Sequence, residues 1–332
     1  MSNATLHIYQ NDTADYVNRV RTQYDSLSGK VGEHLDGIAG KVVLDLGVGF
    51  QLVHGGLTLA LALQEGAKRC FGIDIAHPDL HSDDPAKVEF WRQASELLGI
   101  PVQGIDRGRV IFASTDILHF DDFFSKITLL QMSASDMWFQ DDMFDVVISN
   151  AVFEHVRSPK LVLQELFRVL KPGGGAAINW NPFSGFSMGG HDVGLPFIHP
   201  WAHLRMNEDE HIEALRTVFG DPKLYSKAFP VEHTPTDERA AVYHADPRLF
   251  REQILYDLNK MRIPEFEAYA RDVGFEIVLS DPFIDESERK FLTPQLRAEL
   301  AEYSEEELLQ IFHCCVLRKP DTPAKAGPRK EA

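Results

Sequence analysis

Carboxylates and glycines follow two short apolar runs early in the sequence, in an arrangement that suits a nucleoside ligand. The run at 41–46 leads into Gly47-Val48-Gly49, and the run at 69–73 is followed directly by Asp74. Two glycines after a strand let the backbone turn tightly and approach a ligand closely. A carboxylate closing the next strand can accept hydrogen bonds from both hydroxyls of a ribose. We therefore expect Asp45, Gly47, Gly49 and Asp74 to share one site.

Two further motifs lie later in the chain. The apolar run at 144–149 ends at Asn150 and is followed by Val152-Phe153-Glu154-His155-Val156. The helical pattern after Pro159 ends in Arg168-Val169-Leu170-Lys171-Pro172-Gly173-Gly174. Histidine titrates near neutral pH, so His155 is a candidate general base. A histidine that begins a helix and only packs locally is the competing interpretation.

Apolar runs with the period of strands alternate with patterns of helical period. Strands are predicted at 41–46, 69–73, 127–132, 144–149, 175–180, 275–279 and 308–317, with a further candidate at 109–113. Helices are predicted at 57–63, 86–98, 158–170 and 264–273. This alternation favours an α/β fold with a mostly parallel sheet covered on both faces. Ligands of such sheets lie beyond the carboxyl ends of the strands, where the four motifs fall.

In this order the four motifs resemble the class I S-adenosylmethionine-dependent methyltransferases. The resemblance is greatest to the small-molecule branch similar to the ubiquinone and menaquinone biosynthesis enzymes (methyltransferase type 11 domain), and it covers 41–180 with a weaker echo at 264–318. It implies a Rossmann-like sheet of seven strands in the order 3-2-1-4-5-7-6, with the last strand antiparallel and a helical and loop insertion after the fifth.

The resemblance also implies roles for individual residues toward S-adenosylmethionine. Asp45 would lie near the ammonium of the cofactor, and the backbone at Gly47 and Gly49 against its methionine part. Asp74 would bind the ribose, and Asn150 would lie near the sulfonium. The adenine would be contacted by Ile75, Ala134, Ser135 and Asp136. The branch commonly has an acidic residue at the place of Ser133, so Asp136 is the alternative partner of the adenine amino group. The Lys171–Gly174 turn is structural.

The acceptor side is predicted from an insertion rich in aromatics, glycines and histidines at 181–263. His191, His199 and His203 are candidate bases or acceptor-orienting groups in a substrate lid, beside an alternative in which the segment is an aromatic loop that covers the core. The four-residue spacing of His199 and His203 would suit metal ligands on one helix face, but this spacing is common, and we predict no metal. Trp138 and Phe139 are expected to be a core aromatic pair, with contact to the cofactor as the alternative.

Composition excludes several classes of protein. The 332 residues carry a formal net charge of −17, which disfavours a nucleic-acid substrate and docking on an anionic membrane. The three cysteines, Cys70, Cys314 and Cys315, include an adjacent pair in an apolar run and no CxxC pair, so buried thiols are expected. No secretion signal or membrane-spanning run is evident, and the predicted location is the cytoplasm.

The predicted organisation has four parts. A helical cap at 1–40, with an apolar stripe at Tyr16, Val20 and Tyr24, precedes the methyltransferase domain at 41–180 and 264–318. The substrate lid occupies 181–263 and a disordered tail 319–332. The predicted function is transfer of a methyl group to oxygen or nitrogen of a small molecule, with a sugar or natural-product intermediate as one candidate acceptor. The sequence leaves the oligomeric state open.

Two other functions remain open at this stage. An NAD-dependent dehydrogenase is disfavoured because Leu52 stands where the third glycine of the dinucleotide fingerprint would be. A cofactor-binding member without catalysis keeps the same motifs and differs only in turnover.

Overall fold

Seven strands form one sheet in the computed structural model, which describes residues 13–48, 52–75, 93–94, 96–99, 126–185, 198–228, 245–246, 248 and 258–321. The strands are β1 Val42–Leu46, β2 Arg69–Asp74, β3 Ile127–Gln131, β4 Phe144–Asn150, β5 Leu170–Trp180, β6 Glu276–Ile284 and β7 Gln310–Arg318. Their order is β3-β2-β1-β4-β5-β7-β6, and β7 pairs antiparallel with both neighbours. The predicted strand order and the predicted antiparallel last strand are confirmed.

The helices of the described residues lie before, between and after these strands. They are α1 Thr13–His34, α2 Leu52–Gln64, α3 Pro159–Val169, α4 Ala202–Arg205, α5 Glu208–Gly220, α6 Pro222–Ala228, α7 Ile263–Val273, α8 Pro294–Glu299 and α9 Glu305–Leu309, with a 3₁₀ helix at Glu286–Phe291. No helix among the residues that the structure describes combines the length and the apolar content needed to cross a membrane.

The helices cover both faces of the sheet. On one face, α1 and α2 bury a cluster that includes Val20, Leu27, Leu59 and Val146. On the other face, α3 and α7 bury a second cluster that includes Leu166 and Phe266. Burial of both sheet faces is the reason that the central strands are continuous apolar runs. The predicted stripe on α1 is confirmed, because Tyr16, Val20 and Tyr24 are all buried.

Several predicted boundaries were wrong, each for a local reason. β5 begins at Leu170 because Phe144 pairs with Leu170, so the Lys171–Gly174 turn lies within the strand rather than before it. A bulge follows, since Val146 pairs with Gly175. β6 extends to Ile284 because β7 pairs with its whole length. β7 begins only at Gln310, after the short helix α9, which Ser304 starts with a capping box.

Two predicted elements fall wholly or partly outside the described residues. The candidate strand at 109–113 lies outside them, and of the predicted helix at 86–98 the described residues 93–94 and 96–98 are helical. At the other end, Lys319 donates to Asp142 at 2.6 Å and to the Leu170 carbonyl at 2.7 Å, so the contacts of the sheet reach beyond β7. The three cysteines are free and buried, as predicted.

Candidate cofactor and acceptor site

The glycine bend after β1 lies directly beside the carboxylate that ends β2. The backbone N–H groups of Gly47 and Val48 both donate to the carbonyl of Ile73, at 2.8 and 3.1 Å, and Asp74 is the next residue. Gly47 has a φ of +79°, and a Cβ there would lie 2.2 Å from Cγ2 of Val152. Glycine is therefore required by both the backbone conformation and the close approach of the next loop.

A cavity opens at this bend, between the carboxyl edge of the sheet and α1. Its volume is about 460 Å³ including its open mouth. The lining residues are Val20, Gln23, Tyr24, Leu27, Asp45, Gly47, Val48, Thr58 and Asn150. The phenol of Tyr24 donates to Glu65 at 2.6 Å, which ties α1 to the end of α2. The first helix thus supplies one wall of the cavity and the strand ends supply the other.

Asp45 is the carboxyl group of this cavity. It is 6% exposed, and burial, with a further contribution from the negative charge of Asp74, raises its pKa to about 8. A cationic ligand in the cavity would favour the ionised form of this group. The ammonium and sulfonium of S-adenosylmethionine are such cations, so the residues present fit the cofactor.

The neighbouring strand ends form a second part of the same edge. The amide of Met132 donates to the carbonyl of Asp74 at 2.8 Å, and Gln131 donates to the carbonyl of Ile75 at 3.1 Å. The loop after β3 then carries Ala134 and Ser135, both half-buried, and exposed Asp136. The residues predicted to contact the adenine are therefore neighbours at the ends of β2 and β3.

Two large apolar side chains are exposed at this part of the edge. Ile75 is 73% exposed and Trp138 is 79% exposed. The prediction that Trp138 and Phe139 form a core pair was wrong for Trp138. Only Phe139 is packed, with its ring edge-on to Phe71 at 5.7 Å and to Phe144 at 4.8 Å. Of these two neighbours, Phe139 thus packs on the core and Trp138 faces solvent.

Arg168 holds this loop in place. Its guanidinium donates to the carbonyls of Met137 and Phe139, each at 2.7 Å, and pairs with Glu165 at 2.7 Å. The carboxylate of Glu165 in turn accepts the amide of Met137 at 2.7 Å. The backbone on both sides of Trp138 is therefore fixed from α3, although sequence reasoning treated Arg168 only as part of a family motif.

The turn after β4 carries the predicted base. The amide of His155 donates to the carbonyl of Val152 at 2.8 Å, and its side chain is exposed. Asn259, after the insertion, donates its side-chain amide to the carbonyls of Phe153 and Val156 at 2.6 and 2.8 Å. This clamping segment, which begins at Asn259, therefore holds the turn in place.

A second cavity lies past the end of β5, and it contains His203. It is lined by Phe183, Ser184, His203, Leu204, Lys260, Arg262 and Tyr303. The ring of His203 donates from Nε2 to the carbonyl of Phe183 at 2.9 Å. Lys260 lies over the Phe183 ring at 5.9 Å, and Arg262 lies over Tyr303 at 5.0 Å while it pairs with Glu307. The cavity therefore presents aromatic faces and cations.

The remaining predicted site residues are Gly49, His191, His199 and His203. Gly49 and His191 lie outside the described residues. His199 is half-buried and precedes α4, whereas His203 is within it. The two do not share a helix face, because Trp201 between them has a φ of +54° and the helix begins only after it. Within the described ranges no three His, Cys, Asp or Glu side chains cluster as metal ligands.

Several residues that line the cavities were missed by sequence reasoning. Gln23 on α1 and Thr58 on α2 line the first cavity, and Lys260 and Arg262 line the second. None of these four lies at a strand end, where the motifs fall. Glu154, beside the predicted base, is almost fully buried. Only the polarity of Glu154 within an apolar turn could have indicated it.

Comparison with known proteins matches part of the chain to a family. The methyltransferase domain family matches residues 92–178. An uncharacterized methyltransferase of Mycolicibacterium vanbaalenii is 38% identical over 68 residues, 20% of this chain and 26% of the relative. One from Mycobacterium avium is 37% identical over the same length. The chain thus spans about a quarter of the length of the curated relatives that it matches.

Solved structures are also similar in outline. An S-adenosylmethionine-dependent methyltransferase from Mesorhizobium loti aligns with 85% of this chain and 92% of its own, at 15% identity and a TM-score of 0.41. A phosphoethanolamine N-methyltransferase from Haemonchus contortus, in complex with S-adenosyl-L-methionine, aligns with 90% of this chain and 52% of its own, at 17% identity and a TM-score of 0.44.

The order and the directions of the strands are those of a Rossmann-like α/β fold. Within that fold, residues 92–178 match the methyltransferase domain family.

Proposed function

We propose that this chain transfers the methyl group of S-adenosylmethionine to oxygen or nitrogen of a small-molecule acceptor. The observation that carries the proposal is the cavity in which Asp45, Gly47 and Asn150 meet beside Asp74. It supplies a buried carboxyl for a cation, a tight backbone bend for close approach, and a second carboxylate for a ribose.

In this proposal, each residue at the first cavity contacts a different part of the cofactor. Asp45 binds the ammonium, the bend at Gly47 lies against the methionine part, and Asn150 lies near the sulfonium. Asp74 binds the ribose. The adenine lies between Ile75 and the loop of Ala134, Ser135 and Asp136. When bound, S-adenosylmethionine supplies an electrophilic methyl group, so the protein's task is to bind, to orient and to exclude water.

The acceptor enters, in this proposal, at the ends of β4 and β5. The second cavity supports this placement, because Phe183 and Ser184 follow β5 within four residues and the clamp at Asn259 joins the cavity to the turn that carries His155. Its aromatic and cationic lining suits a small molecule with a flat or anionic part. His155, His191, His199 and His203 remain proposed bases or orienting groups. The acidic chain makes a nucleic-acid acceptor unfavourable.

Calorimetric titration tests the proposal at its first step. We expect S-adenosylhomocysteine to bind and NADH not to bind. Binding of NADH alone would reject the assignment in favour of a dehydrogenase.

Labelled methyl transfer tests the second step. Protein and S-adenosylmethionine carrying a labelled methyl group are incubated with a small-molecule extract of cells and, in parallel, with total RNA and protein. We expect label in the small-molecule fraction. Binding without transfer to any fraction would indicate a cofactor-binding protein without catalysis, and transfer only to RNA or protein would reject the small-molecule acceptor.

His155→Ala separates a catalytic from a structural histidine. If His155 acts on the acceptor, turnover falls by about 10²-fold or more while the affinity for S-adenosylhomocysteine stays within about twofold. Equal loss of both, or no loss, would make this histidine structural.

A further inference from the structure

Glu154 has a buried carboxyl group that the proposed function leaves unused. It is 2% exposed, and among the residues that the structure describes neither carboxylate oxygen has a partner within ordinary hydrogen-bond geometry. The backbone N–H groups of Glu154 itself and Asn181 stabilise its charge only in part. Buried carboxylates in proteins are ordinarily paired, because an unpaired buried charge costs far more than an exposed one. An orphan of this kind indicates a role that the fold alone does not require.

The backbone that carries Glu154 is rigidly held. Its own carbonyl accepts the amide of Asn259 at 2.7 Å, and the side chain of Asn259 bonds the carbonyls of Phe153 and Val156 on either side. The ring of Phe153 is fully buried against Phe266, with centroids 5.4 Å apart. The carboxyl group is therefore fixed in position at the carboxyl edge of the sheet, four residues after β4.

A second oxygen acceptor without a donor lies at the end of the neighbouring strand. The side-chain oxygen Oδ1 of Asn179 on β5 is also buried and unpartnered among the described residues. Asn179 pairs with Asn150 across β4 and β5, and its carbonyl accepts the amide of Ala151 at 2.9 Å. Two adjacent strand ends thus present lone pairs and lack donors. A ligand with N–H or O–H groups would supply them.

We propose that Glu154 is the proton acceptor for the nucleophile of the methyl acceptor, an amine or hydroxyl group that Asn179 helps to orient. This inference rests on the proposed function. In the step, the lone pair of the acceptor nitrogen or oxygen forms the bond to the methyl carbon. The S–C bond breaks and its electron pair stays on sulfur as a neutral thioether. The proton of the nucleophile passes to a carboxylate oxygen of Glu154.

The surroundings of Glu154 suit this exchange of a proton. Burial raises the pKa of Glu154 to about 7, opposed slightly by the backbone N–H groups of Glu154 itself and Asn181. The charged and titratable groups on the elements packed against it are His155 on the same turn and Lys260 and Arg262 on the clamping segment. None of these contributes to that pKa. A base with a pKa near the working pH is the efficient choice.

The test compares Glu154→Gln and Glu154→Asp with a matched control, Glu288→Gln. Glu288 is another buried glutamate, 8% exposed, and it lies after the edge strand β6, three strands from β4. Binding of S-adenosylhomocysteine is measured by calorimetry, and labelled transfer to the small-molecule extract is measured at saturating cofactor. Thermal melting verifies that each variant is folded.

We expect Glu154→Gln to bind S-adenosylhomocysteine within twofold of the wild type and to lose at least a hundredfold in transfer. Glu154→Asp keeps a carboxylate and is expected to retain more activity than Glu154→Gln. A purely structural glutamate gives the opposite order, since glutamine fills the same space. Glu288→Gln is expected to transfer at the wild-type rate.

Infrared difference spectra provide a readout that does not depend on turnover. Without any ligand, the wild type is expected to show a carboxyl band that titrates near pH 7, beside the band of Asp45 near pH 8. Glu154→Gln is expected to lose the first band and keep the second, whereas Glu288→Gln keeps both.

The outcomes distinguish failure of the proposed function from failure of the inference about Glu154. A wild type that binds no S-adenosylhomocysteine, or transfers no label, rejects the proposed function and this inference with it. A wild type that transfers label while Glu154→Gln keeps more than a tenth of that rate rejects the inference alone, as does the absence of the band near pH 7.

Discussion

Asp45 and Asp74, acidic residues near the ends of two adjacent strands, lie close enough across the bend at Gly47 for the charge of Asp74 to raise the pKa of Asp45. Burial, and then the charge of Asp74, keep the pKa of Asp45 at about 8, against an ordinary value of 3.8. The folded protein thus binds a proton at Asp45 that the unfolded chain releases above about pH 4. The contribution of Asp45 to the free energy of unfolding therefore falls as the pH rises from about 4 to 8.

Asp45→Asn is expected to remove this part of the pH dependence. Without ligand, the variant should melt at a higher temperature than the wild type at pH 8.5, and the two curves should converge toward pH 4. The same change should weaken S-adenosylhomocysteine binding, because the ammonium of the ligand loses its counter-charge. Melting curves across pH, with and without ligand, measure both effects. A variant that is less stable than the wild type at pH 8.5 would show that Asp45 is ionised and compensated in the folded protein.

Asp74→Ala is expected to weaken binding of S-adenosylhomocysteine by roughly 1.5–3 kcal/mol, since it removes charge-assisted hydrogen bonds to the ribose. That loss corresponds to about 10- to 150-fold in Kd. Asp272→Ala is a matched control, because Asp272 is exposed and pairs only with Lys160 on the surface of α3 and α7. Calorimetry that finds the same Kd for Asp74→Ala and the wild type would reject the ribose assignment.

Gly47→Ala is expected to destabilise the fold by roughly 2–5 kcal/mol, because alanine is strained at a φ of +79° and its Cβ would overlap Val152. The double variant Gly47→Ala/Val152→Ala removes the overlap and leaves the backbone strain. Chemical denaturation measures the free energy of unfolding of the wild type, both single variants and the double variant. We expect Val152→Ala to stabilise the Gly47→Ala background, unlike its effect in the wild type. Strict additivity would contradict the contact.

His313 is expected to make the protein sensitive to mild acid. Its ring is fully buried, accepts the indole N–H of Trp180 at 3.0 Å and bonds Ser280 at 2.8 Å, and burial lowers its pKa to about 4. Because the unfolded chain takes up this proton below about pH 6.5, the contribution of His313 to stability falls by up to roughly 3 kcal/mol between pH 6.5 and 4, in the direction opposite to the contribution of Asp45.

The variant His313→Asn should lose that slope, although its stability at pH 7 is lower than that of the wild type. His34→Asn, at the half-buried last residue of α1, is the control and should keep it. Denaturant melts at half-unit pH intervals measure the slope. An unchanged slope in His313→Asn would assign the acid sensitivity to other groups.

The strands of the sheet could be predicted from the sequence, whereas the helix residues that line the first cavity could not. Continuous apolar runs predict buried parallel strands with a ligand site at their carboxyl ends, and Asp45, Gly47 and Asn150 from those ends line the first cavity. Gln23 and Thr58 could not be found in this way, because local pattern does not show that packing of α1 and α2 on the sheet brings them to the same cavity.

The acceptor side shows the same limit. Glu154 and His155 are neighbours in sequence and differ only in which one the turn buries. That choice depends on Asn259, more than a hundred residues later, which clamps the turn. Trp138 and Phe139 differ in exposure for a similar reason, because Arg168 fixes the backbone on both sides of Trp138. Sequence pattern indicates that such side chains are chemically able to act, and tertiary contacts decide which of them faces a ligand.

The helix α1 that forms one wall of the first cavity is also joined to the last strand, since Arg318 donates to the carbonyl of His34 and Leu35 packs where a Cβ at Gly175 would be. The first cavity is thus braced by both the helix that precedes the sheet and the strand β7. During synthesis, a ribosome-bound chain that has made the glycine bend and both carboxylates still lacks this brace. In the proposed function, tight retention of S-adenosylmethionine therefore requires that β7 has been inserted between its neighbours.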